Sequence, residues 1–239
     1  MLLKHKSCCR FRWRTVSDKK MMDLFYINNL VFTAWGYGVC WLELLGVVTG
    51  FIAIYLAGRG KVLNFWVGLL NCLIYFDFFL QSRLYSMMLL QLVFFVINIY
   101  GIVQWTRPRV QNNSVEKIKI TRLVPVRFWL GVLFTMCLGV LWGVGVVWLA
   151  QQMPQYVQKP VYPLLDAILL MGNVFGQLLL AMKKIENWWI WIVVDTVSIV
   201  LWLVLGMYLT AILYLLYLLI AIDAFLKWNR QMNIDNNKI

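Results

Sequence analysis

The last third of this chain sets polar and aromatic side chains at helical spacing inside apolar stretches. Asp166, Asn173 and Gln177 stand at i, i+7 and i+11, one face of a helix. Trp188, Trp191 and Asp195 follow at i, i+3 and i+7, and Tyr214 and Tyr217 share a further face. Earlier in the chain Asn64 and Asn71 share a face, as do Gln91 and Asn98. Indole faces hold a flat cationic ring by stacking and cation–π attraction. Amides and carboxylates bind hydroxyl groups where water is scarce. These residues suit an uncharged or weakly cationic ligand with a flat ring and hydroxyls. The candidate binding set is Trp188, Trp191, Asp195, Asn98, Gln91, Asn173, Gln177, Tyr214, Tyr217 and Asn71. Plainer roles compete for some of them. Trp188 lies at a helix start, where aromatic-belt residues sit. Glu43 and Asp166 occupy helix-first-turn positions that favour acids, and Asn64 and Asn187 are candidate N-caps.

The elements that hold these residues belong in lipid. The chain is 62% hydrophobic and 13% charged, with a mean hydropathy of +0.75, far above the soluble norm. Its apolar runs are continuous and near the ~20 residues that a transmembrane helix needs, whereas barrel strands would alternate over about ten. Seven spans are expected, at about 40–57, 62–80, 84–105, 128–150, 163–182, 187–205 and 207–226. The fold class is an all-α membrane protein.

A shift of 123 residues lays the chain on itself without a gap. Lys61 falls on Lys184, Asn64 on Asn187, Phe65 on Trp188, Tyr85 on Tyr208 and Trp105 on Trp228. Two three-helix repeats follow. Three spans is an odd number, so the extra span at 128–150 is needed to give both repeats the same orientation. That span has no charge and only Thr135 as a polar side chain, which suits a lipid-facing tether. The expected organisation is a basic arm and interfacial amphipathic helix over 1–39, repeat 1 over 40–105 and a polar linker with connecting helix over 106–150. Repeat 2 spans 151–228 and a polar tail 229–239. The amphipathic helix is placed at 21–34, where Leu24, Ile27 and Val31 share a face.

The net charge of +12 does not point to nucleic acid, because the basic residues lie in the arm and between apolar runs. The face holding the linker, the 58–61 and 183–186 loops and the C-terminus has 13 Lys or Arg against nine on the other. That balance favours a cytoplasmic C-terminus, although the basic arm pulls the other way. His5 is the only histidine, and the cysteines show no metal or disulfide spacing, so no metal, cofactor or enzyme activity is expected. No Walker loop suggests ATP-driven pumping.

The run Glu43–Trp105, with YLAGRGKVLNFWVGLLN and LYSMMLLQLVFFVINIYGIVQW, and the later ENWWIW at 186–191 resemble the PnuC family of bacterial vitamin B3 transporters. The resemblance covers about residues 40–228. It implies a SWEET-like 3+1+3 fold and nicotinamide riboside as cargo, taken up across the inner membrane by facilitated diffusion. It also implies trapping by a cytoplasmic riboside kinase, and it lays the family's tryptophan motif on Trp188 and Trp191. Relatives of this family carry thiamine or riboflavin, which keeps these cargoes, and ion coupling, as alternatives. Partners are then the cargo and the bilayer, with a homo-oligomer left open.

Overall fold

The computed structural model describes residues 26, 30–34, 37–82, 85–107, 109–111, 114–116, 118–154, 162–206 and 208–236. Among them are seven helices, each long and apolar enough to cross a membrane. They are α1 (Trp41–Gly58), α2 (Leu63–Gln81), α3 (Tyr85–Thr106), α4 (Pro125–Gln152), α5 (Pro163–Ala181), α6 (Glu186–Val204) and α7 (Tyr208–Asn236). The expected boundaries hold to within a few residues, save at the end of α7. In lipid only closed backbone hydrogen bonding is tolerated, which is why continuous apolar runs become helices here.

Packing reproduces the repeat. In each bundle the middle helix touches both neighbours, α2 between α1 and α3, and α6 between α5 and α7. The bundles meet through α1 with α7 and α3 with α5, two contacts that the 123-residue shift exchanges. Helices α2 and α6 begin and end at equivalent positions, as do the ends of α1 and α5 and the starts of α3 and α7. Connecting helix α4 packs chiefly on α5. Gly139 and Gly143 let it approach, since a Cβ at Gly139 would come within 3.2 Å of the Ile168 Cα. Its other side is bare, with Trp129 65% exposed.

The repeat reaches individual bonds. Trp105 donates its indole N–H to the carbonyl of Ala181 at 3.0 Å, and Trp228 donates to the carbonyl of Gly58 at 3.2 Å. Each therefore caps the end of a helix in the opposite bundle, satisfying a carbonyl that the helix itself leaves open. Phe65 lies edge-on to Trp105 with ring centres 5.1 Å apart, and Trp188 edge-on to Trp228 at 5.5 Å. These contacts place the ends of α1, α3 and α5 on one face with Trp228, so the two bundles run in the same direction. Small residues Ala57, Ala181, Ala221 and Ala224 complete this core. It forms an apolar plug at the linker-side ends of both bundles. Trp105→Phe and Trp228→Phe should each leave a buried carbonyl unpaired. That costs about 1–3 kcal/mol, and each kcal/mol lowers the melting temperature by about 2–4 °C in a protein of this size. Thermal melting of the purified variants checks this. A fall in one variant only would show that the two bonds are not equivalent.

The turns after α1 and α5 match as well. Gly60 and Lys183 occupy the same place and both are left-handed, with φ of 64° and 56°. The lysine gives up about 1–2 kcal/mol of backbone comfort there. It recovers a hydrogen bond from Nζ to the Ile118 carbonyl at 2.8 Å and a position 4.7 Å over the Trp105 ring.

Three expectations need correction. The amphipathic helix of 21–34 is not what its described C-terminal part forms. Leu30–Ala34 is a strand, β1, paired antiparallel with β2 (Tyr37–Cys40). Leu30-Val31-Phe32-Thr33 is rich in β-branched and aromatic residues, which favour strands. The basic arm of 1–20 lies outside the described residues. Second, the polar tail expected from 229 is helical to Asn236. Polar residues do not end a helix that is anchored. Trp228 and Met232 are buried, Lys227 pairs with Asp223 one turn back, and Gln231 bonds Asp235 at 2.8 Å. Third, Asn64 and Asn187 are not N-caps. Both sit inside the first turn and donate from Nδ2 to the carbonyls of Lys61 and Lys184, at 2.6 and 2.5 Å. Glu43 and Asp166 do stand in first turns, of α1 and α5.

The linker is only partly free-standing. Its first half makes a short hairpin of β3 (Arg109–Gln111) and β4 (Ser114–Glu116). Its second half is docked on the α5–α6 turn. There Thr121 N–H donates to the Lys183 carbonyl, Ile185 N–H to the Thr121 carbonyl, and Leu123 N–H to Glu186 Oε1 at 3.0 Å.

Candidate functional site

A cavity of about 200 Å³ lies between the bundles, and every helix except α4 contributes to its wall. Asn71, Asn173 and Asp195 sit about halfway along their helices, and Asn64 and Gln177 lie nearer the tryptophan plug. Eight of the ten expected residues line it: Asn71, Asn98, Asn173, Gln177, Trp191, Asp195, Tyr214 and Tyr217. The repeat relation runs through the wall. Gly68 stands opposite Trp191, Cys72 opposite Asp195, Ile54 opposite Gln177 and Phe94 opposite Tyr217. One bundle supplies small or apolar groups where the other supplies an indole, an acid and an amide.

Two expected residues are not in the wall. Trp188 is fully buried in the plug against Trp228 and Trp191. Its repeat partner Phe65 is equally buried under Trp105, so both are frame. Gln91 is buried in α3 but does not reach the cavity. Phe94, Asn64 and Cys72 are in the wall and outside the expected set. For Phe94 a signal existed, because it is the repeat partner of Tyr217.

The amides point their chemistry one way. Asn71 donates from Nδ2 to the Gly46 carbonyl at 2.7 Å and to Thr49 Oγ1 at 2.9 Å. Asn98 donates to the Phe94 carbonyl at 2.9 Å and to Cys72 Sγ at 3.6 Å. Gln177 reaches across the bundle interface to Asn98 Oδ1 at 3.0 Å, and Asn173 bonds the Leu169 carbonyl at 2.9 Å. Asn71 and Asn98 spend both N–H bonds inside the protein, so they offer a ligand carbonyl oxygen, while Asn173 and Gln177 each keep one N–H beside theirs. Among the described residues Asp195 is the one acid or base in the wall, 5% exposed, and its Oδ2 has no hydrogen-bond partner among them. The wall therefore offers amide carbonyls and one carboxyl group, beside the indole N–H of Trp191 and the hydroxyls of Tyr214 and Tyr217. It suits a ligand bearing hydroxyl donors and positive charge.

Trp191 is the aromatic counterpart. Its Nε1 is also without a partner among the described residues. The indole edge lies on the bare backbone of Gly176, where any Cβ would overlap it, and its ring centre is 6.0 Å from that of Trp188. Glycine on α5 and a tryptophan beneath thus fix the ring that lines the cavity. Tyr214 and Tyr217 face it from α7, edge-on to one another at 5.9 Å.

Two equivalent bundles of membrane-spanning helices with a cavity between them are the architecture of pseudo-symmetric membrane transporters. The chain belongs to the family described as nicotinamide mononucleotide transporter, whose model matches residues 40–230. It is 28% identical over 226 residues to the nicotinamide riboside transporter PnuC of Escherichia coli K12, covering 87% of this chain and 94% of that one. It is 24% identical to the riboflavin/roseoflavin transporter RibM of Streptomyces davaonensis, over 90% and 96% of the two chains. A crystal structure of the vitamin B3 transporter PnuC matches with a TM-score of 0.60 and 26% identity, covering 81% of this chain and 82% of that one.

Proposed function

We propose that this protein carries nicotinamide riboside across a bacterial plasma membrane by facilitated diffusion, holding it in the cavity between the bundles. The observation that carries the reading is the buried Asp195 carboxyl group, its Oδ2 without a partner among the described residues, beside Trp191 in a wall that offers amide carbonyls. The cargo has a flat cationic ring for the indole and the carboxylate, and ribose hydroxyls to donate to the carbonyls. The names borne by the similar PnuC proteins support the same cargo. The basic residues crowd the linker face, which favours its lying in the cytoplasm. Phosphorylation there by a riboside kinase would trap the cargo and draw uptake forward.

Riboflavin is the second reading, because of the likeness to RibM. The cavity volume of about 200 Å³ is below the ~300 Å³ at which drug-sized ligand pockets usually begin. That favours one ring and a sugar over a fused three-ring system. Calorimetric titration of the purified protein with nicotinamide riboside, thiamine and riboflavin decides between cargoes. In liposomes with no ion gradient, internal nicotinamide riboside should rise to the external level and stop. Accumulation well beyond that level under a proton or sodium gradient would replace facilitated diffusion with ion coupling.

A further inference from the structure

On the linker side of the tryptophan plug the molecule opens again, into a vestibule of about 620 Å³. Its charge is opposite in sign to that of the cavity. Arg59 after α1, Lys119 of the linker, Lys183 of the α5–α6 turn and Lys227 of α7 line it, against Asp235 as the lining carboxylate. These four cations come from four separate segments, so no single element's solvated face explains their convergence. Several are held in place. Arg59 lies 4.9 Å over the Tyr55 ring, Lys183 is bonded to the Ile118 carbonyl, and Lys227 is paired with Asp223. Trp228 forms part of the wall, and it is also the plug residue that caps α1.

A group of cations around one space repels a cationic ligand and attracts an anionic one. Arginine and lysine together match a phosphate, the first by its fork and the second as a point charge. We propose that this vestibule is a second ligand site, distinct from the cavity, that takes a phosphate group. The phosphate is that of a soluble phosphomonoester or of an anionic lipid headgroup reaching in from the same face. An anion there sits directly below the plug and cannot follow the acidic cavity upward. The two compartments therefore sort ligands by charge.

The test uses the full-length protein and two pairs of probes. Titration in detergent compares ribose 5-phosphate with ribose. Thermal melting in nanodiscs compares phosphatidylglycerol with phosphatidylcholine. Ribose 5-phosphate should bind, more weakly as salt rises, and ribose should not bind the vestibule. Arg59→Gln and Lys227→Gln should each weaken ribose 5-phosphate about five-fold, and Asp235→Asn should tighten it by a similar factor. Phosphatidylglycerol stabilisation that Arg59→Gln removes, with no binding of ribose 5-phosphate, supports the site and names the lipid as the source. Equal behaviour of ribose 5-phosphate and ribose, together with equal melting in the two lipids, overturns the proposal. So does wild-type affinity in the charge variants. Asp235→Asn adds affinity to a folded protein, so its outcome stands even where a neutralised variant fails to fold.

Discussion

Replacing Trp191 with Ala is expected to weaken nicotinamide riboside binding about 5- to 30-fold. Stacking and cation–π contact with an indole contribute about 1–2 kcal/mol or more once desolvated, and each 1.4 kcal/mol is tenfold in affinity. Calorimetry on the purified variant reads the change. The matched control is Trp129→Ala on α4, a residue 65% exposed and outside the cavity wall. It should leave affinity unchanged. Gly176→Ala gives an independent check, because its methyl would push the indole off α5 without removing it. Its affinity should fall with the ring still present. Equal losses in Trp191→Ala and Trp129→Ala would make Trp191 a packing residue and remove the aromatic half of the proposed site.

The frame was legible because lipid leaves few choices. Continuous apolar runs must be helices, and a gapless 123-residue offset must recur in structure, down to the paired bonds of Trp105 and Trp228. The site was legible to the extent that the repeat broke. Trp191 over Gly68 and Asp195 over Cys72 are mismatches, and both fall in the cavity wall. Trp188 was matched by the aromatic Phe65, and both are frame. A motif places Trp188 and Trp191 together on one helix face with their rings in contact, and depth along the helix separates their roles: Trp188 packs in the plug against Trp228, and Trp191 one turn further on lines the cavity. Gln91 shares a helical face with Asn98 yet stays out of the wall, since periodicity alone does not say how far along a helix the cavity extends. The strand at Leu30–Ala34 and the helix running on to Asn236 were missed for a related reason. Outside the bilayer, hairpin pairing and the anchoring of Trp228 outweigh hydrophobic period.

Asp195→Asn should move stability and binding in opposite directions. A carboxylate 5% exposed, with Oδ2 unpaired in the protein, carries a desolvation cost that the fold does not fully offset. The amide is nearly isosteric and neutral, so the ligand-free variant should melt a few degrees higher, at about 2–4 °C per kcal/mol relieved. Nicotinamide riboside should nevertheless bind about tenfold or more weakly, because its ring loses the opposing charge in a site poor in water. The uncharged, reduced form of the riboside separates charge from hydrogen bonding. Its affinity should change far less than that of the cationic form, so the preference for the cation collapses in the variant. Equal losses for both forms would assign Asp195 to the ribose hydroxyls. A variant that melts lower and binds normally would make Asp195 a structural partner and leave the cavity without its recognition charge. Destabilisation tolerated at a site until the cargo arrives is the usual trade between stability and function, and here it rests on one carboxylate.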